Sequence, residues 1–276
     1  MKVILGKKAG FCYGIKNAVN STEDILKNEK NVACLGELLH NEAVLNKLKE
    51  NGLSIIDDIK NGKNYSKVVL RAHGVEKDVY KKAEENNIKI YDNTCPKVKV
   101  IHKYLEEYNS KGYSVILIGE KEHPEVIGTK SFADDVYVID DISEVDSLPD
   151  FDKVLCVAQT TFNSIEYKKI VEKLNTKYKN IKIIDTICNS TYERQKETEQ
   201  IAKKVDIMVI IGGLKSSNTK KLYDISKSIC KEAIWIQFDN DIKLEECKKY
   251  DTVGVMAGAS TPDFLINSVL EKLRRF

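Results

Sequence analysis

No stretch of this chain approaches the roughly 20 consecutive apolar residues that cross a bilayer as a helix, so a helical membrane protein is not expected. Neither sign of charge dominates: 44 Lys and Arg stand against 42 Asp and Glu, a formal net charge of +2 in 276 residues. Basic clusters are interleaved with acids, and nothing in that balance speaks for nucleic acid or an anionic membrane as a partner. No two cysteines form the short C-x-x-C pair common at structural zinc sites. Seven cysteines, an odd number scattered over a long chain, do not resemble a secreted disulfide framework. The first apolar run is not followed by a Rossmann glycine fingerprint, and no appended redox domain is evident. MKVILGKKAG lacks the small-residue cleavage pattern of a signal peptide. Pro/Gly/Ser-rich linkers and low-complexity tracts are also missing, so any lobes must touch directly. These absences together predict a soluble, cytoplasmic protein.

What the chain does contain is a unit written three times. Cys12 in AGFCYG, Cys95 in YDNTCP and Cys188 in IDTICN stand 83 and 93 residues apart. A glycine closing an apolar run follows each by 24 residues: Gly36, Gly119 and Gly212. Four residues later come His40, His123 and Ser216, and two further on Glu42, Glu125 and Asn218. IIDDI, VIDDI and the looser FDNDI repeat in the same order, as do KVVLRAHG, KVLCVAQTT and TVGVMAGAST. NIKIYDNTC and NIKIIDTIC lead into the second and third cysteines, and MKVILGKKAGFC leads into the first. An internal period of this kind governs the fold.

Short runs rich in Val and Ile (VILIG, VVLRA, VLCVA, IMVIIGG, VGVMAG) read as buried strands. Helical patterns lie between them: GIKNAVNSTEDILKN, EAVLNKLKENG, PKVKVIHKYLEEYNSKG and ERQKETEQIAKKV. Strand and helix alternate throughout, which predicts an α/β fold with parallel sheets. The length exceeds a typical single domain. We therefore expect three small lobes related by a pseudo-threefold axis, a trefoil around a central metal site. Their bounds are 1–95, 96–190 and 191–276, with the C-terminal segment packing back on the first.

In open α/β sheets, ligands bind beyond the carboxyl ends of the strands. His40, His73, His123, Gln159, Thr160, Thr161, Ser216, Ser217, Asn218 and Ser260 all follow strand-like runs. If the lobes face one another, these groups and the three equivalent cysteines line one cavity. Cys34 and Cys156, inside VACL and VLCV, read instead as small buried hydrophobes. Cys230 and Cys247 fall in helical patterns and read as structural or surface residues. His102, within VIHKYLEEY, reads as a surface histidine. Glu42 reads as an acid favourable at a helix start, whereas Glu125 is a candidate for chemistry. Three thiolates suit a cubane [4Fe–4S] cluster, leaving one iron without a protein ligand. Such an iron is a Lewis acid that can also deliver electrons.

GFCYGIKNAV, LGELLHN, RAHGV, DNTCPKVKVIH, GEKEHPEV, AQTT, CNSTYERQ, GGLKSSNT and AGASTPD together resemble the 4-hydroxy-3-methylbut-2-enyl diphosphate reductase (LytB/IspH) family, in order from Phe11 to Asp263. Ser190 stands where that family often has Ala. The resemblance implies one [4Fe–4S] cluster per chain held by Cys12, Cys95 and Cys188. It implies reductive removal of the substrate's C4 hydroxyl, the last step of the non-mevalonate isoprenoid pathway, with electrons from an external ferredoxin or flavodoxin. By the same resemblance His40, His73, His123, Ser216, Ser217, Asn218 and Ser260 hold the diphosphate, with Thr161 counted in the substrate-binding set. Glu125 is then the proton donor, and Thr160 orients the hydroxyl at the open iron. Two other readings stay open: a dehydratase like quinolinate synthase, and a non-enzymatic iron–sulfur redox sensor.

Overall fold

The Val- and Ile-rich runs form short strands because branched side chains pack well on a pleated surface, and helices on both faces let the central ones be apolar throughout. The computed structural model describes residues 1–241 and 249–274; Cys247 lies outside them. The described strands are β1 (Lys2–Leu5), β2 (Val32–Leu35), β3 (Leu53–Ile56), β4 (Lys67–Leu70), β5 (Ile90–Asp92), β6 (Ser114–Ile118), β7 (Val136–Ile139), β8 (Val154–Ala158), β9 (Ile181–Ile183), β10 (Ile207–Ile211), β11 (Glu232–Ile236) and β12 (Thr252–Ala257). They are joined through α1 (Tyr13–Asn28), α2 (Glu42–Glu50), α3 (Lys77–Glu85), α4 (Pro96–Asn109), α5 (Pro124–Lys130), α6 (Ser164–Lys177), α7 (Asn189–Ala202) and α8 (Ser217–Ile229), and α9 (Asp263–Arg274) follows β12.

The strands make three four-stranded sheets, ordered β3-β2-β4-β5, β7-β6-β8-β9 and β11-β10-β12-β1, with every pairing parallel. The chain is thus α/β with three small parallel sheets. β1 stands apart from the expected first lobe of 1–95: Lys2–Leu5 pair with Thr252–Val255 of β12. The reason lies in the repeat. β5 precedes Cys95 and β9 precedes Cys188, each as the last strand of its sheet, and β1 precedes Cys12 in the same place in the third sheet.

Alternation along a strand sends successive side chains to opposite faces, and the third sheet shows it plainly. Ile207, Val209 and Ile211 meet Leu265, Ile266, Val269 and Leu273 of α9 on one face. On the other, Met208 and Ile210 meet Ile201, Ala202 and Leu222 of α7 and α8. The IIDDI and VIDDI echoes also have a structural origin. Asp58 and Asp141 cap short 3-10 turns, Ile59–Asn64 and Ile142–Ser147, by accepting the N–H of Lys60 at 2.9 Å and of Ser143 at 2.8 Å.

By packing, the chain divides into two compact units. One comprises Met1–Lys16, Leu39–Asn51 and Asn189–Phe276; the other comprises Asn17–Leu38 and Gly52–Cys188. The first holds the third sheet together with α2. The second holds the other two sheets.

Candidate functional site

Each of the three equivalent cysteines sits at the start of a helix, half-buried, and each donates its backbone N–H to the carbonyl just beyond a neighbouring strand. Cys12 donates to Ala259 at 3.1 Å, Cys95 to Ala72 at 2.9 Å and Cys188 to Thr160 at 3.0 Å. Cys95 is the N-cap of α4, with Pro96 at the first helical position. Proline fits there because its missing N–H would have no partner in the helix. Cys34 and Cys156 are fully buried inside β2 and β8, and burial pushes both thiols up to about 12. Cys230, at the end of α8, is buried with its Sγ 3.3 Å from the Val205 carbonyl. A thiol held neutral by burial is a poor metal ligand, so position in the fold separates the two groups.

In the second unit, the ends of β6 and β8 bring Glu125 and Thr160 together. His123 caps α5, its Nδ1 accepting the Glu125 N–H at 3.1 Å, and Pro124 opens the helix. Glu125 Oε1 accepts the Thr160 N–H at 2.6 Å, and Oε2 lies 2.7 Å from Thr160 Oγ1. The carboxyl is 3% exposed. Desolvation raises its pKa to about 7, while the two bonds from Thr160 pull the other way. Since the Thr160 carbonyl also accepts from Cys188, one residue ties the buried acid to a cysteine. The His73 and His123 rings meet edge to face, with centroids 5.3 Å apart. Gln159 accepts the Glu120 N–H and donates to Thr161 Oγ1, both at 2.9 Å, and so orients Thr161.

In the first unit, the segment before α2 meets the segment before α8. Ser260 Oγ donates to the His40 carbonyl at 3.2 Å. Gly213 lies so close that a Cβ there would stand 2.3 Å from the same oxygen, so only glycine permits this approach. Ser216 caps α8, accepting the Thr219 N–H at 3.3 Å. Ser217, Asn218 and Ser260 are buried, and both polar side-chain atoms of Asn218 lack a hydrogen-bond partner among the described residues. Buried polar groups are normally satisfied. An amide left so at a helix N-terminus fits a ligand rich in oxygen acceptors.

Sequence reasoning misplaced His102. It is buried rather than on the surface, stacked on Phe132 at 3.9 Å, and desolvation lowers its pKa to about 4. Its Cε1 lies 3.1 Å from where a Cβ on Gly74 would be, in the turn after His73. It also passed over Arg194 and Glu197 of α7, which bond to the backbone ahead of Cys12. Their one signal was the spacing of three within CNSTYERQKE, which puts both on one helix face.

Parallel α/β sheets whose strand ends carry thiols, imidazoles, hydroxyls and a buried acid are those of an enzyme. The chain belongs to the LytB family, whose sequence pattern, described as LytB protein, matches residues 3–274. Among relatives named 4-hydroxy-3-methylbut-2-enyl diphosphate reductase, that of Campylobacter hominis is 40% identical, covering 99% of this chain and 98% of its own. That of Caldanaerobacter subterraneus subsp. tengcongensis is 38% identical over 99% and 97%. Among solved structures, the E-1-hydroxy-2-methyl-but-2-enyl-4-diphosphate reductase of Plasmodium falciparum matches with a TM-score of 0.94 at 29% identity, covering 98% of this chain and 87% of that one. A further solved structure, titled as (E)-4-hydroxy-3-methyl-but-2-enyl diphosphate reductase, the terminal enzyme of the non-mevalonate pathway, matches with a TM-score of 0.72 at 34% identity over the whole of both chains.

Proposed function

We propose that this chain removes the allylic hydroxyl of 4-hydroxy-3-methylbut-2-enyl diphosphate, giving isopentenyl and dimethylallyl diphosphates at the end of the non-mevalonate isoprenoid pathway. The reaction consumes two electrons and two protons. The C–O bond breaks, a C–H bond forms, and the oxygen leaves as water. The observation that carries this reading is the Glu125–Thr160 pair: a buried carboxyl that holds its proton to about neutral pH, hydrogen-bonded to a residue that also accepts from Cys188.

Cys12, Cys95 and Cys188 fit an iron–sulfur cluster. They are half-buried at helix starts, where the dipole favours a negatively charged group, unlike the fully buried Cys34 and Cys156. When bound, a [4Fe–4S] cluster supplies electrons and one iron without a protein ligand. The chain's own residues supply protons and hold the substrate. With Glu125 neutral, its Oε2–H donates to Thr160 Oγ1, and the Thr160 hydroxyl is then free to donate toward the leaving oxygen. Positioned acid help of this kind contributes typically about 10²–10⁴-fold. Ser216, Ser217, Asn218 and Ser260, with His40, His73 and His123, bind the diphosphate, and Thr161 lies with the substrate-binding set. Electrons come from an external low-potential carrier, a ferredoxin or flavodoxin. The enzyme works in the cytoplasm: seven cysteines, an odd number scattered over the chain, do not resemble a secreted disulfide framework, and among the described residues no helix is long and apolar enough to cross a membrane.

The test is anaerobic turnover. Protein reconstituted with iron and sulfide is mixed with the allylic diphosphate and a low-potential reductant, and both C5 diphosphates should appear. The Cys12, Cys95 and Cys188 serine variants should lose iron, and Cys156→Ser should keep it. A dehydratase like quinolinate synthase, or a redox sensor, leaves the allylic diphosphate unchanged, and that result would sink the proposal.

A further inference from the structure

The backbone ahead of Cys12 is gripped by α7, the helix that begins one residue after Cys188. Arg194 is 3% exposed. Its Nε donates to the Lys8 carbonyl and its Nη2 to the Gly10 carbonyl, both at 2.9 Å, while Nη1 donates to Ser190 O at 3.2 Å. One turn further along, Glu197 accepts the N–H of Lys7 at 2.8 Å and of Lys8 at 2.7 Å. Gly10 then turns the chain with φ +97°, and Cys12 donates to Ala259. Apart from the Lys8–Glu193 ion pair at 2.8 Å, the groups that α7 holds in segment 7–10 are backbone groups. A planar guanidinium that spans two carbonyls, paired with a carboxylate that spans two N–H groups, fixes both the path and the direction of that segment.

The equivalent segment ahead of Cys95 is held from α1, the helix that follows Cys12, by other chemistry. Asn93 Nδ2 donates to the Ala18 carbonyl at 3.3 Å and to Thr22 Oγ1 at 3.1 Å, and Ser21 Oγ donates to Asn93 Oδ1 at 2.7 Å. Two different residue sets thus do the same thing at equivalent points of the repeat: the helix after one cysteine holds the segment before the next. Chance packing has no reason to recur in that cyclic order.

We propose that Arg194 and Glu197 are positioning residues that hold Cys12 in its ligand place independently of any bound metal, with Asn93 doing the same for Cys95. The assignment of these thiols as ligands rests on the function proposed above; the grip does not. The experiment follows each thiol separately. Metal-free, full-length protein is treated anaerobically with iodoacetamide, and the alkylation rates of Cys12 and Cys95 are read by peptide mass mapping. Arg194→Gln and Glu197→Gln should speed alkylation of Cys12 by about tenfold, the scale of local loosening when a hydrogen bond to a charged group is lost, and leave Cys95 within about twofold. Asn93→Ala should do the reverse. Arg194→Lys, which reaches one carbonyl in place of two, should fall between. After reconstitution, the reduced-state electron paramagnetic resonance signal should change in the Arg194 variants and move back toward wild type in Arg194→Lys. Equal acceleration at both cysteines in every variant, or at neither, overturns the proposal. If Arg194→Gln fails to fold, Glu197→Gln and Asn93→Ala carry the same crossed comparison. Wild-type protein that takes up no iron yet keeps the crossed pattern would refute the cluster while leaving the grip in place.

Discussion

Glu42 and Glu125 stand six residues past equivalent glycines, each in the first turn of a short helix, yet their surroundings differ completely. Glu125 follows Pro124 on α5 and is 3% exposed, with both oxygens on Thr160. Glu42 opens α2 at the surface, where its Oε2 accepts from Gln237 Nε2 at 2.5 Å. In the third repeat the place is taken by Asn218, buried and uncharged. A fold repeated three times therefore does not repeat its chemistry. Helix start, capping residue and strand end recur, while residue identity and burial set the three copies apart: a buried carboxyl, a buried amide and a surface carboxylate.

That contrast is sharpest in catalysis. Glu125→Gln keeps size and acceptor capacity but removes the acidic proton. Single-turnover elimination should fall about 10²–10⁴-fold, with diphosphate affinity little changed. Glu42→Gln, measured alongside, should lie within a few-fold of wild type. Equal losses in the two variants would mean that burial is not what assigns the role.

The next largest effect concerns Thr160. Its two hydrogen bonds lower the Glu125 pKa against desolvation. Thr160→Val removes the hydroxyl bond and retains the N–H, so Glu125 should hold its proton to higher pH. In wild type the rate of the chemical step should decline as pH rises through about 7, because an acid must be protonated to donate. In Thr160→Val the rate should drop through loss of the hydroxyl, and the remaining alkaline limb should move to higher pH. A limb that stays in place would detach it from Glu125.

Stability gives a smaller difference of fixed sign. Glu125 has a folded pKa of about 7 against an ordinary carboxyl value of 4.5, so the native state binds the extra proton. Its contribution is fully present below the unfolded pKa and is lost as pH rises from about 4.5 to about 7. His102 runs the other way. Its folded pKa is about 4 against 6.5, and its contribution is lost as pH falls through that window. Denaturant unfolding between pH 4.5 and 7 should therefore show opposing slopes: Glu125→Gln removes the decline with rising pH, and His102→Phe removes the decline with falling pH. If Glu125→Gln and wild type have parallel pH profiles, the carboxyl is not held neutral by burial.

The sequence made the sheets legible because an all-parallel sheet writes its buried strands as Val/Ile runs, and because each run recurs three times. The equivalent placing of the three cysteines, each at a helix start after an edge strand, was legible for the same reason. β1 was misassigned to the first lobe although MKVILGKKAGFC already matched the segments before Cys95 and Cys188; the cyclic consequence, that β1 closes the third sheet, needs the pairing with β12. His102 was misread because one helical turn carries no mark of what it packs against: Phe132, 30 residues away in sequence, decides its burial. Arg194 and Glu197 act on backbone groups more than 180 residues distant, and backbone partners leave no imprint in side-chain pattern.

The smallest effect belongs to the surface copy. Gln237 donates to Glu42 and accepts the Leu214 N–H at 3.2 Å, so it ties the start of α2, next to His40, to the loop before Ser216. Both bonds are solvent-exposed, where water replaces a lost partner and the net worth of one hydrogen bond is about 0.5–1.5 kcal/mol. Gln237→Ala should loosen the two loops proposed above to bind the diphosphate, without touching the proposed proton donor. KM should rise about two- to fivefold while kcat stays near wild type, and Glu42→Ala combined with Gln237→Ala should add little, since both remove the same contact. A drop in kcat equal to that of Glu125→Gln would place the surface copy in the chemistry after all and remove the distinction that burial draws between the two repeats.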